Sequence, residues 1–192
     1  MELSSPAPRR HLHTRSIHCE GFLREDALWD IEARIVDTKS YAYREPWRGR
    51  REPGSAVHDM HVRLTIDDAM TVHDIEVAMP ATPYPTCAEV RARFRALIGL
   101  TIGPGWRAEI NRRVGATFGC THVRELLFPM ATVAFQTVRG WPSEDEVPDA
   151  AAAGVLPSGF LDGCHAWAAD GEVVATLYPM HAKPRATPAD ER

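Results

Sequence analysis

Apolar and polar residues alternate along the N-terminal part of the chain. Residues 16–23 and 28–39 are predicted to form two strands joined by a turn at Glu25 and Asp26. The second strand places four apolar residues on one face, at alternate positions: Trp29, Ile31, Ala33 and Ile35. This period of two is typical of a strand with one buried face.

A second alternating pattern predicts a β-hairpin formed by residues 57–66 and 70–79. Matching the apolar faces of the two strands fixes their register, because a slip of one residue would turn every side chain over. In this register Asp59 and His61 share a face with Glu76. Like charges in close opposition are destabilising, so a bound cation or the positive charges of His61 and Arg63 must relieve that face.

Apolar residues then recur with helical spacing in three segments. The first helix is predicted to begin at Thr86, which has the capping-box spacing to Glu89, and a short second helix covers residues 104–114. The third covers residues 120–139 and contains Pro129, which should bend it. The order of elements predicts an α+β fold, an antiparallel sheet with three helices packed on one face.

The remaining segments have weaker patterns. Residues 40–55 are predicted to be a loop, 141–159 a linker-like excursion, and 160–180 a final hairpin around Asp170 and Gly171. We expect residues 1–15 and 183–192 to be disordered tails. Residues 16–182 should form a single domain, since 192 residues fit one domain.

Composition limits the class of protein. A net charge of −4 argues against nucleic acid as a partner. The apolar runs are too short to span a bilayer and no secretory signal is evident, so we expect no membrane and a cytoplasmic location. The four cysteines are then expected to be thiols or ligands rather than disulfides. Self-association is left open.

The segment from Gly119 to Leu127 concentrates candidate chemistry. Cys120, His122 and Glu125 lie within six residues at the start of the third predicted helix. Cys87 lies in the first turn of the first helix, where unpaired N–H groups favour a thiolate. Small apolar cysteines at helix starts are also common in cores.

Three kinds of chemistry fit these residues. A zinc or iron site would draw on thiolates and imidazoles, with Glu125 as a base on bound water. Its candidate ligands are Cys87, Cys120, His122 and the strand residues His58, Asp59 and His61. Metal-free catalysis would use Cys120 with His122 and Glu125. The third alternative is a purely structural role. Whether Cys164 and His165 belong to the site is left open.

Several strings together resemble DUF2889, a bacterial family of uncharacterised proteins. The matching strings are Gly21-Phe22, Trp29-Asp30-Ile31-Glu32, Asp37-Thr38-Lys39, Val57-His58-Asp59-Met60, Arg63-Leu64-Thr65-Ile66-Asp67, Pro83-Tyr84 with Cys87, and Gly119-Cys120-Thr121-His122 with Glu125-Leu126. The resemblance covers roughly residues 17–180. It implies no activity, although members often accompany genes for the catabolism of acyl-CoA or aromatic compounds.

A weaker resemblance links the chain to the iron–sulfur scaffold fold of IscU, NifU and SufU. Cys87 and Cys120-Thr121-His122 open helices after a strand hairpin, as the ligands of that fold do. The resemblance implies such a core with extra N- and C-terminal strands, and a metal site.

We therefore expect an enzyme that acts on a small organic catabolic substrate, aromatic or acyl/carbonyl. Its Cys/His/Glu site is expected to support metal-assisted lyase, hydrolase or isomerase chemistry. The alternatives are a non-enzymatic carrier of metal, sulfur or iron–sulfur clusters, and a metal-free Cys/His lyase or isomerase.

Overall fold

A computed structural model describes residues 3–140 and 160–184, and these fall into two compact units, divided between Val138 and Arg139. The first unit contains six strands: β1 His13–Leu23, β2 Trp29–Lys39, β3 Tyr43–Glu45, β4 Gly49–Arg51, β5 Ala56–Ile66 and β6 Val72–Ala81. Its longer helical elements are a 3₁₀ helix at Pro85–Leu97 and α1 at Trp106–Val114, and it contains all but the last two residues of α2, Thr121–Gly140. The protein is thus α+β, as predicted.

Four of the strands form one antiparallel sheet in the order β1-β2-β5-β6. Alternate positions of β2 and β5 face the core, and their register places Ile31 opposite Leu64 and Ile35 opposite Met60. The predicted turn at Glu25 and the predicted hairpin of β5 and β6 are both present. The alternation therefore identified the buried face of the sheet correctly.

The helical elements contribute to the same buried cluster as that face of the sheet. Val123, Leu126, Leu127, Met130 and Ala134 form the buried stripe of α2, and all belong to this cluster. They lie at helical spacing, so burying one side of α2 brings its first turn down onto the sheet.

Two other close contacts fix the helices in place. The indole Nε1 of Trp106 in α1 donates a buried hydrogen bond of 3.0 Å to the carbonyl of Leu127. Gly21 of β1 lies so close to α2 that a β-carbon there would overlap the side chain of Thr137. At this point the backbone of β1, at the edge of the sheet, packs directly against a side chain of α2.

Some local predictions were wrong. The element at Pro85–Leu97 is a 3₁₀ helix whose N-cap is Tyr84, with no side-chain cap, so Thr86 and Glu89 form no capping box. The predicted loop at residues 40–55 contains β3 and β4, which pair as a short hairpin. Strands of three residues are too short to give a recognisable alternation.

The predicted hairpin at residues 160–180 is also wrong. This second unit contains short 3₁₀ turns at His165–Trp167 and Pro179–His181, and the helix α3 at Glu172–Leu177. Val174 and Tyr178 are buried four residues apart, which is the spacing of a helix face. The implied extra C-terminal strands are therefore absent from residues 160–184. The predicted excursion at 141–159 lies outside the described residues.

The chain ends differ in extent from the predicted tails. Strand β1 begins at His13, three residues before the predicted start at residue 16. Residues 3–12 contain no assigned helix or strand. Most of the predicted C-terminal tail lies beyond residue 184, outside the described residues.

Candidate metal and acid–base site

A polar row continues the apolar core at one end of the sheet. The strand register aligns Ile17, Ile35 and Met60 across β1, β2 and β5 on the face that the helices cover. Two residues further along, the same face carries Arg15, Asp37 and His58. The three side chains come from different strands, and they meet because the pairing places them side by side.

Asp37 is the centre of this row and its side chain is only 2% exposed. Arg15 donates from Nε to Oδ1 and from Nη2 to Oδ2, both at 2.8 Å. Nδ1 of His58 lies 2.9 Å from Oδ2, and Nε2 of His13 lies 3.3 Å from Oδ1. Burial alone would raise the pKa of Asp37, but the hydrogen bonds from Arg15 and His58 outweigh it and hold that pKa below the usual range. The carboxylate is therefore ionised.

His122 approaches the row from the first turn of α2. Its ring is stacked on that of His58, with centroids 3.7 Å apart and planes inclined by 30°. Its Nε2 lies 3.8 Å from Oδ2 of Asp37. Burial, with the nearby charges of His58 and Arg15, lowers the pKa of His122 to about 4. Burial also lowers the pKa of His58, despite the opposing effect of Asp37. Both imidazoles are therefore neutral near pH 7.

Cys120 lies at the start of α2, where its carbonyl accepts a hydrogen bond from the N–H of Arg124 at 2.9 Å. Its Sγ is 3.8 Å from Nδ1 of His122 and 3.8 Å from Sδ of Met60. Glu125, one turn into the helix, accepts a hydrogen bond from Arg124 and attracts positive charge on His122. The start of α2 therefore places the Cys120 thiol beside His122, and Glu125 acts on that ring through its charge.

Asp37, His58 and His122 form a potential metal-binding group. One donor atom from each lies within 4.8 Å of the others, and among the described residues this is the only such group of three or more His, Cys, Asp and Glu side chains. Two imidazoles and one carboxylate suit zinc or iron. The predicted pairing of His58 with His122 is thus present, and Cys120 lies beside it.

Other predicted ligands lie elsewhere. Asp59 and His61 are on the opposite face of the sheet from His58 and Met60, because successive strand residues point to opposite sides. There Arg34 donates two hydrogen bonds to Asp59 at 2.8–2.9 Å, and His61 lies 3.1 Å from it. Arg63 pairs with Glu76 at 3.3 Å on the same face, so Arg63, as expected, and Arg34, which was not expected, neutralise its carboxylates.

Cys87 and Cys164 are also outside the group. Cys87 lies in the first turn of the 3₁₀ helix, as expected, but is not part of the metal-binding group. Cys164 is exposed in the second unit and His165 begins a 3₁₀ turn there, and neither belongs to the group. Among the described residues, the structure therefore brings His58 and Cys120 of the predicted set into contact with His122, and Glu125 acts on His122 through its charge.

Arg15 and Asp37 were missed as site residues. Extending the alternation of β2 two residues beyond Ile35 places Asp37 on the buried face, where a carboxylate requires partners. The same extension of the hairpin pattern places His58 on that face. The signal for Asp37 was therefore present, whereas the contact with Arg15 depends on the β1–β2 register.

Residues 13–136 match a known protein family, described as a protein of unknown function, DUF2889. The chain belongs to this family. The matched residues run from the first residue of β1 into α2, so this DUF2889 protein has Asp37, His58, Cys120 and His122 within the family region. No curated protein and no solved structure matches the chain. The resemblance to the iron–sulfur scaffold fold therefore stays a prediction.

In the part of this DUF2889 protein that the structure describes, no helix combines the length and apolar character that crossing a membrane requires.

Proposed function

We propose that this protein is an enzyme that binds zinc or iron through Asp37, His58 and His122. The metal would polarise a small organic substrate in a lyase, hydrolase or isomerase reaction. The observation that carries the proposal is the grouping of these three donors, each from a different element, at the polar end of the buried core.

The protonation states support metal binding. A metal ligand must be deprotonated, and protons compete with the metal at each donor. Because burial lowers the pKa of both histidines, neither has to lose a proton near pH 7. The contact of 2.9 Å between His58 Nδ1 and Oδ2 of Asp37 holds these two donors side by side, and the neutral ring can carry its proton on Nε2 when Nδ1 binds the metal.

The number and exposure of the donors favour a reactive centre over a structural one. Structural zinc sites have four protein ligands, whereas catalytic sites have three and leave one position for water or substrate. The side chains of His58 and His122 are 14% and 22% exposed, so the group is reached from solvent. Cys120 lies beside His122 as a candidate nucleophile, and Glu125, three residues further along α2, is a candidate base.

Metal titration of protein purified without added metal, followed by calorimetry and elemental analysis, tests the proposal. We expect one equivalent of zinc or iron(II), and a loss of affinity of roughly 100-fold or more for His58→Ala and His122→Ala. His61→Ala is a matched control, because His61 also pairs with an aspartate but lies on the other face. Protein that binds neither metal, or equal weakening by all three variants, would contradict the proposal.

A second candidate function is metal-free acid–base catalysis. Both oxygens of Asp37 already accept hydrogen bonds from Arg15, and the bond from His58 Nδ1 fixes the tautomer of that ring. An aspartate that orients a histidine in this way leaves Nε2 as a general base. Turnover that persists in a strong chelator and is abolished by His58→Gln would favour this alternative.

A further inference from the structure

Lys39 extends the polar end of the sheet beyond Asp37. It lies two residues after Asp37 on β2 and opposite His13 on β1, so its side chain leaves the sheet on the face that carries the candidate site. Its ammonium group lies 4.3 Å from the ring centroid of Tyr43 and 5.4 Å from that of Tyr41. The two tyrosines therefore also lie on the site's side of the sheet.

The hairpin of β3 and β4 is held next to the site. Arg48 donates hydrogen bonds at 3.2 Å to the carbonyls of Ala56 and Val57, the residues that precede His58 on β5. Arg48 is itself paired with both carboxylate oxygens of the buried Glu45. The hairpin is thus anchored between Lys39 on one side and His58 on the other.

This region is positively charged although the chain is acidic. Residues 39–52 contain five basic side chains and two acidic ones, a net charge of +3, whereas the whole chain has −4. Among the described residues, Lys39 has no carboxylate partner within 4 Å. Arg51 pairs with Tyr43 across the hairpin, and its buried Nε makes no hydrogen bond within the described part of the chain.

Exposed aromatic rings lie at the same end of the sheet. Trp47, in the turn between β3 and β4, packs edge to face on Tyr84, with centroids 5.3 Å apart. Their exposures are 60% and 52%, although large aromatic side chains are usually covered. A hairpin that carries both basic side chains and an exposed aromatic ring suits a ligand that has a negative group and a flat apolar part.

We propose that Lys39 and the β3–β4 hairpin bind the carboxylate of an aromatic acid, and that this anion is the substrate class of the site. The inference rests on the proposed function in that the bound anion is taken to be the substrate. The ammonium group of Lys39 would bind the carboxylate, with Arg51 as the second cation. The tyrosine and tryptophan rings would contact the flat part of the molecule.

The chain offers a direct probe, because Lys39 and Lys183 are its only lysines. Full-length protein labelled with ¹³C at the lysine ε-carbon has one signal from each. Benzoate is titrated into metal-free protein at constant ionic strength, with neutral benzamide as the matched compound. We expect benzoate to shift the Lys39 signal in a saturable way and to leave the Lys183 signal in place. Benzamide should shift neither.

Variants give a second measurement of the same binding. We expect Lys39→Met to weaken benzoate binding about tenfold, which corresponds to the loss of one hydrogen bond to a charged group. Lys39→Arg should retain most of the affinity, and Lys183→Met should be unchanged. Equal shifts of both lysine signals, equal binding of benzamide, or wild-type affinity in Lys39→Met would overturn the proposal. Because no metal is present, failure of zinc or iron binding leaves this result unaffected.

Discussion

His58 and Asp37 face each other across the β2–β5 pairing, with Nδ1 of the imidazole 2.9 Å from Oδ2 of the carboxylate. The ionised carboxylate can only accept, so His58 carries its proton on Nδ1 and presents Nε2 without one. This one contact joins the buried ion pair with Arg15 to the stacked histidines. This contact holds the His58 ring in a fixed orientation in the folded protein, so the site is preorganised.

The first prediction concerns the stability that Asp37 provides. Asp37→Asn removes the charge that Arg15 and His58 surround, and we expect the free energy of unfolding to fall by roughly 2–3 kcal/mol in urea denaturation. Asp59→Asn is the control, because Asp59 accepts the same two-bond pairing from Arg34, whose side chain is 51% exposed. An exposed pair should contribute less than about 1 kcal/mol. Equal losses in both variants would contradict a special role for Asp37.

The second prediction concerns pH. Because His122 has a pKa of about 4 in the folded protein and about 6.5 when unfolded, the unfolded chain binds more protons between these values. Stability due to the neutral ring is therefore fully present above pH 6.5 and is lost as the pH falls towards 4, by about 3 kcal/mol at most.

His122→Asn isolates that contribution. The variant should lose less stability than the wild type between pH 7 and pH 4, measured by urea denaturation at several pH values. The loss due to Asp37 should remain, since a carboxylate with a lowered pKa also loses stability as the pH falls through its folded pKa. Parallel stability curves for variant and wild type would show that His122 does not titrate as described.

The third prediction tests the contact between β1 and α2. Gly21→Ala would force a β-carbon into the side chain of Thr137, and we expect a loss of about 1–3 kcal/mol in the free energy of unfolding. Adding Thr137→Ala should restore part of it. Gly103→Ala is the control, because a β-carbon there has no heavy atom within 4 Å. A Gly21→Ala variant as stable as wild type would mean that α2 packs differently.

The fourth prediction concerns the role of Cys120 in metal binding. Its Sγ contacts Met60, and Cys120 is not part of the group formed by Asp37, His58 and His122. We therefore expect cobalt(II)-loaded protein to show no intense thiolate-to-metal absorption, and Cys120→Ser to bind zinc as the wild type does. Cys87→Ser serves as the matched control. A strong thiolate band that disappears only in Cys120→Ser would make Cys120 a ligand.

Much of the sheet and α2 followed from periodicity. The alternation in β2 and β5 and the apolar stripe of α2 each span ten residues or more. A pattern of that length rarely arises by chance, so it identifies the element reliably. The short β3 and β4 strands give no such pattern. In residues 172–178, the spacing of Val174 and Tyr178 is compatible with a strand or with a helix. The structure forms a helix there, and both residues are buried.

Only part of the site could be predicted for a related reason. Reactive residue types identified His58, Cys120 and His122, but not the distances between them. Cys87 belongs to the same chemical class as Cys120 and lies at the start of a helical element as well, yet it is Cys120 whose thiol lies 3.8 Å from His122. Asp59 and His61 are possible ligands by residue type, but they occupy the opposite face of β5 from His58. Residue type therefore identifies the candidate residues, and the strand geometry determines which of them lie close together.

The row formed by Arg15, Asp37 and His58 also bears on how the protein assembles. Its members are far apart along the chain, and His122 joins them only when α2 has docked on a sheet whose strands are in register. Partly folded chains would contain the donors without their grouping. Tight zinc binding would then report completed long-range assembly, and its recovery during refolding should follow the docking of α2 rather than the formation of individual strands.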